Sequence, residues 1–136
     1  MRGIFGFLIA GLAASLAATP AAAATPGELL KGYESAAHAS QGAFKGFSAE
    51  RGRQFFQARH GGDWSCSSCH TDNPAATGKH ARTAKAIAPL APAANAERFT
   101  DAAFAEKWFR RNCNDVVSRE CTAQEKGDFL KFLLSK

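Results

Sequence analysis

The sequence holds a single methionine, Met1, so no thioether is available as a metal ligand anywhere downstream of the initiator. Tyrosine occurs once and tryptophan twice beside eleven phenylalanines, which leaves the aromatic content almost wholly apolar. Acid is the scarcer charge, with 12 Asp and Glu against 17 Lys and Arg and a net charge of +5 over 136 residues. That imbalance is too small for a nucleic-acid-binding surface. With 21% charged and 46% hydrophobic residues the chain is no disordered polyelectrolyte, and its length allows one domain but not two. Internal repeats are absent, and no segment alternates apolar and polar residues convincingly enough to read as a strand.

Long apolar runs are confined to the N-terminus. Arg2 supplies a positive start, Ile4 to Leu16 an apolar stretch, and Ala21 to Ala24 small residues that fit an A-x-A cleavage site. Residues 1–24 are expected to be a cleaved secretory signal peptide, leaving 25–136 as the domain. The apolar part is too short and too rich in Ala and Gly to span ~30 Å of hydrocarbon, so no stable membrane insertion is expected after cleavage.

Export matters for the four cysteines, because outside the cytosol neighbouring thiols oxidise unless other chemistry claims them. Cys66 and Cys69 stand in Cys66-Ser67-Ser68-Cys69-His70, and Cys113 and Cys121 lie further on. CXXCH is the attachment pattern of c-type haem. Each thiol can add across one vinyl group of the same porphyrin, and His70 falls beneath the iron as the proximal ligand. A thioredoxin-like motif would need a surrounding βαβ pattern, and a zinc site a second ligand pair at suitable spacing; the sequence offers neither. One covalently bound haem c, with its iron, is the expected cofactor.

Local signals predict helices around it. Thr25-Pro26-Gly27-Glu28 is a capping box with Pro at the first helical position, opening a helix to about Ala39. Ser48 and Glu50 open a short helix carrying Phe55 and Phe56 that ends at His60-Gly61-Gly62. From Thr71 to Arg98 the prolines Pro74, Pro89 and Pro92 break any regular element, and this segment is expected to drape over the haem. Thr100 or Asp101 caps a helix to about Arg111, with Phe104 and Trp108 on one face. Thr122 to Glu125 forms a second capping box, opening a last helix with the apolar stripe Phe129, Leu130, Leu133 and Leu134. The expected fold is all-α, a small class I cytochrome c-like arrangement around one haem.

With methionine excluded, the donors for the sixth iron position are His38, His60, His80, Asn112, Asn114 or a lysine. Among the histidines His80 is the best placed, in the draping segment. Ligation by His70 and His80 therefore stands as an alternative.

Several ordered blocks resemble the SHP-type class I cytochrome c family. They are residues 82–92, Arg98-Phe99-Thr100-Asp101, residues 106–114 with Trp108 and Asn112-Cys113-Asn114, and Arg119-Glu120-Cys121-Thr122, with shorter matches at Gly32-Tyr33-Glu34 and Glu50-Arg51-Gly52. Ala84 departs from the pattern, standing where glycine is usual. The resemblance implies a small exported mono-haem protein of the bacterial periplasm that binds oxygen. It also implies an asparagine ligand, matching Asn112, a disulfide matching Cys113 and Cys121, and a di-haem cytochrome c as electron donor.

An amide oxygen is a hard, weak donor, acceptable to Fe(III) and poor for Fe(II). Reduction should release Asn112, leaving ferrous iron with a proximal His and an open position for O₂, NO or CO. Arg82 and Lys85, in the draping segment, are candidate contacts for the haem propionates. Lys107, Arg110, Arg111 and Arg119 form a positive rim that would steer an acidic redox partner. Three classes follow: a gas-binding haem protein, with or without turnover as an oxygen or nitric-oxide oxidoreductase; a bis-His electron carrier; and a non-haem disulfide protein.

Overall fold

The computed structural model describes residues 23–40 and 43–136. The segment read as a signal peptide lies outside the described residues, apart from its last two positions. Among the described residues no helix is long and apolar enough to cross a membrane.

Among the described residues five helices carry the fold: α1 (Pro26–Ser40), α2 (Ala49–Gln57), the single turn α3 (Ser67–His70), α4 (Ala102–Val117) and α5 (Ala123–Leu133). Two strands of two residues each, β1 (Gly78–Lys79) and β2 (Ala86–Ile87), pair antiparallel within the segment after α3. Both capping boxes form. Glu28 N–H donates to Thr25 Oγ1 at 3.2 Å while Thr25 N–H donates to the Glu28 carboxylate at 2.7 Å. Glu125 N–H and Thr122 exchange the equivalent pair at the start of α5. Ser48 caps α2 and Asp101, rather than Thr100, caps α4 through Phe104 N–H.

Two helix ends differ from expectation. Helix α2 stops at Gln57, before His60 and Gly61, which form a turn with φ of 50° and 87°. Helix α4 runs six residues past Arg111 to Val117 and is closed by Ser118 in the left-handed region. Asn and Asp locally favour caps over helix interiors. Here burial of Cys113 in the core outweighs that preference.

Helix α5 is the hub, packed against both α1 and α2. Phe56, Leu130 and Leu133 are fully buried, surrounded by Leu29, Tyr33, Phe109, Phe129 and Phe132. Because α5 is covered on two sides, Phe132 joins the core although it lies off the expected stripe, whereas Leu134 at the helix end is exposed. The α2–α5 crossing depends on Gly52, where a Cβ would run into the Asp128 carbonyl oxygen and lie 2.8 Å from Phe132 Cβ. Beside it the buried Asp128 carboxylate accepts from Arg51 Nε at 2.8 Å, Arg51 Nη2 at 2.9 Å and Ser48 N–H at 2.7 Å. This two-pronged pairing keeps the carboxylate from being buried alone.

Helix α4 is tied to this core by a second polar cluster. Tyr33 of α1 donates to Glu106 Oε1 at 2.8 Å, and Lys126 of α5 donates to Glu106 Oε2 at 2.6 Å. Burial, and then the Glu106 hydrogen bond, raise the pKa of the Tyr33 phenol, so it stays a donor. One turn further along, Phe109 meets Tyr33 and Phe129 edge-on at 5.9 and 5.5 Å between ring centroids. These contacts fix α4 and hence the face on which Asn112 lies.

Candidate haem site

The turn bearing Cys66 to His70 is built by serines. Ser65 N–H donates to Ser68 Oγ at 3.0 Å, Ser68 N–H returns a bond to Ser65 Oγ at 3.2 Å, and His70 N–H donates to the Cys66 carbonyl at 3.0 Å. The helical spacing of three sets Cys66 and Cys69 on one side of the turn. Both are free thiols, and burial pushes the Cys66 thiol up to about 11. Burial, followed by the charge of Arg98, pushes His70 down to about 4, so its imidazole is neutral at pH 7 and keeps a lone pair for a metal.

The β1–β2 hairpin backs this turn. Gly78 lies so close to the Cys69 carbonyl that a Cβ would collide with it, and Ala81 N–H approaches Cys69 Sγ at 3.3 Å. His80 begins the hairpin turn: its Nδ1 accepts from Arg82 N–H at 3.3 Å and Thr83 N–H at 3.2 Å. Arg82 and Lys85 lie on the same turn with exposed side chains. Ala84 has φ of 57°, in the left-handed region that favours glycine. Ala84→Gly is expected to relieve left-handed strain of roughly 1 kcal/mol and raise the thermal midpoint by a few degrees, measured by circular dichroism. An unchanged or lowered midpoint would contradict that strain.

The other candidate donors separate by position. His38 lies against the Phe44 ring at 4.7 Å, and His60 Nε2 is 2.9 Å from the Phe55 carbonyl. Asn112 is exposed within α4 and, at spacings of four, shares a face with Phe104 and Trp108. Asn114, two residues on, turns to the opposite side. Cys113 is buried and disulfide-bonded to Cys121, with Cα atoms 5.7 Å apart. Free-thiol titration of the unfolded, haem-loaded protein is therefore expected to find none, and two free thiols would contradict it. Reduction of this short loop is expected to cost ~2 to 3 kcal/mol in stability.

Two free thiols on one side of a turn beside a neutral imidazole fit a covalently held haem. The exposed aromatic surface of Trp64, next to Ser65, and of Phe104 and Trp108, on the Asn112 face, fits the edge and faces of a large apolar ring. Among the described residues no group of three or more His, Cys, Asp or Glu side chains is arranged to hold a metal ion.

Sequence reasoning gave Arg98 no role. Its guanidinium donates to the Ala88 and Pro89 carbonyls, each at 3.0 Å, and its charge reaches His70. A lone Arg in a proline-broken stretch gives no local signal that it turns inward.

An all-α chain with this thiol and imidazole arrangement defines a small c-type cytochrome. The family model "Domain of unknown function (DUF1924)" matches residues 42–133. The cytochrome c-type protein SHP of Cereibacter sphaeroides is 44% identical over 116 residues, covering 82% of this chain and 84% of the relative. Cytochrome c'' of Methylophilus methylotrophus is 37% identical over 113 residues, covering 80% and 78%. A structure of oxidised SHP, described as an oxygen-binding cytochrome c, superimposes with a TM-score of 0.74 over 84% of this chain and 99% of that one. The solution structure of cytochrome c'', presented for its haem-ligand detachment, gives 0.73 at 36% identity over 82% and 93%. The chain belongs to the SHP-type family of c-type cytochromes.

Proposed function

We propose that this protein is an exported, periplasmic cytochrome that accepts electrons at one haem c and binds a diatomic gas once reduction has released Asn112. Haem c, when bound, supplies a one-electron Fe(III)/Fe(II) couple and, in the ferrous state, an axial position for O₂, NO or CO. Cys66 and Cys69 hold it covalently and His70 is the proximal ligand. Asn112 donates its amide oxygen to the ferric iron and withdraws on reduction, because a hard neutral oxygen gains little from the softer ferrous ion. The disulfide at Cys113 anchors the backbone beside Asn112, so the amide departs while α4 stays in place. Arg82 and Lys85, exposed on the hairpin turn, are the cationic candidates for the propionates.

The observation that carries this reading is the match to a protein described as an oxygen-binding cytochrome c, in a chain whose only methionine is Met1. Ligand detachment, named for the relative cytochrome c'', supports a labile sixth position. Asn112 is preferred to His80 because the family resemblance falls on Asn112, while His80 holds the hairpin turn through Nδ1.

The proposed electron donor is an acidic protein, and the family resemblance implies a di-haem cytochrome c. Of the basic rim, Arg119 is paired with Glu125 at 2.7 Å and Arg110 approaches Glu120 at 3.9 Å. Lys107 and Arg111 are left to meet a partner, with Arg111 held over Trp108 at 5.5 Å from the ring centroid.

The test is a haemochrome spectrum followed by a CO difference spectrum of the dithionite-reduced protein. One haem c per chain and immediate CO binding are expected. A haem that refuses CO would make the protein an electron carrier with a closed iron.

A further inference from the structure

Arg98 stands half-buried between β2 and α4. Nε donates to the Pro89 carbonyl and Nη2 to the Ala88 carbonyl, both at 3.0 Å. Among the described residues no carboxylate forms an ion pair with it. Burial lowers its pKa, yet a guanidinium remains charged at neutral pH. Carbonyl dipoles solvate such a cation without cancelling its charge, so a net positive charge is held partly out of water.

The segment it grips reaches the haem-binding turn. Leu90 and Ala91 N–H both donate to the Pro74 carbonyl, at 2.8 and 3.0 Å, and Pro74 is fully buried four residues after His70. The backbone that presents Arg98 is itself constrained. Phe99 adopts φ of 62°, a costly conformation for a bulky side chain, while its ring packs on Phe109 of α4 at 6.4 Å. Arg98 is thus fixed between the helix bearing Asn112 and the loop that follows His70. Arg82 and Lys85, by contrast, are on an exposed turn where water and salt screen them.

We infer that Arg98 is a positioning residue with two effects: it clamps the 88–91 loop beside His70, and its fixed charge raises the reduction potential of the haem iron. The inference rests on the haem reading above. Ferric iron carries one more positive charge than ferrous, so a nearby cation in a medium of low dielectric disfavours the oxidised state. Since Asn112 leaves in the reduced state, Arg98 also eases the step that opens the iron to gas.

The test is an equilibrium redox titration of the haem-loaded protein with its Arg98→Gln and Arg98→Lys variants. In Arg98→Gln the ratio of reduced to oxidised protein at a fixed poise is expected to fall about tenfold, which is ~59 mV for a one-electron couple. Arg98→Lys should keep that ratio within about threefold of the parent but melt at a lower temperature, because an ammonium cannot fork two carbonyls as a guanidinium does. Arg98→Met, which keeps the bulk of the stem, carries the same expectation as Arg98→Gln if the latter does not fold. Equal shifts in the Gln and Lys variants, or no shift in either, would reduce Arg98 to a structural clamp and overturn the inference. A haemochrome spectrum of the parent keeps the two levels apart: without haem c the underlying reading fails, whereas haem c with an unmoved potential defeats the Arg98 inference alone.

Discussion

Replacing Cys66 and Cys69 together by alanine is expected to abolish covalent haem retention. In the parent, acid acetone should leave the colour on the protein, because two thioether bonds survive denaturation. The double variant should lose all extractable haem to the solvent or fail to mature with haem at all. Either cysteine alone should leave one bond and a haemochrome band displaced toward that of a single remaining vinyl group. The serine pair that shapes the turn does not involve either thiol, so the variant turn keeps its backbone hydrogen bonds. Free extraction of haem from the parent would remove the assignment of both cysteines.

The second large effect belongs to Asn112. Asn112→Ala should strip the ferric iron of its protein ligand and admit water or small anions. Ferric anion affinity should rise on the order of tenfold or more, because the anion no longer competes with an internal amide. Ferrous CO affinity should be unchanged or improved, since the amide has already departed there. His80→Ala should leave both spectra as they are and destabilise only the hairpin turn, which loses two N–H acceptor contacts. Azide titration of ferric protein and CO titration of ferrous protein check the two arms. A silent Asn112→Ala, combined with loss of a low-spin ferrous spectrum in His80→Ala, would replace the account with a bis-His carrier.

What the sequence reveals and conceals follows from the range of the interactions. Thr25 with Glu28, and Thr122 with Glu125, satisfy helix-end N–H groups within three residues, so both starts are legible locally. The end of α4 is not, because a run through Asn112, Asn114 and Asp115 favours termination until Cys113 is buried and bridged to Cys121. Phe132 is missed for a similar reason: a single apolar stripe assumes one neighbour, and α5 has two. The β1–β2 hairpin is too short for any alternation to show, and its place is set by Gly78 against Cys69, a tertiary contact.

At the site the balance is different. Cys66, Cys69 and His70 are legible because covalent attachment demands that spacing within one turn. Asn112 carries no such chemical demand: the lack of methionine leaves it one donor among several, and resemblance to a family singles it out. Arg98 stays hidden because its partners are main-chain carbonyls, which any sequence can supply.

The central claim is that reduction opens the iron. Resonance Raman spectroscopy across a single reductive titration tests it most directly, since one sample reports coordination number on both sides of the couple. The account predicts a six-coordinate ferric iron that becomes five-coordinate and high-spin on reduction, at the same potential at which CO binding begins. A ferrous iron that remains six-coordinate and low-spin, and takes up CO only slowly or not at all, would contradict it.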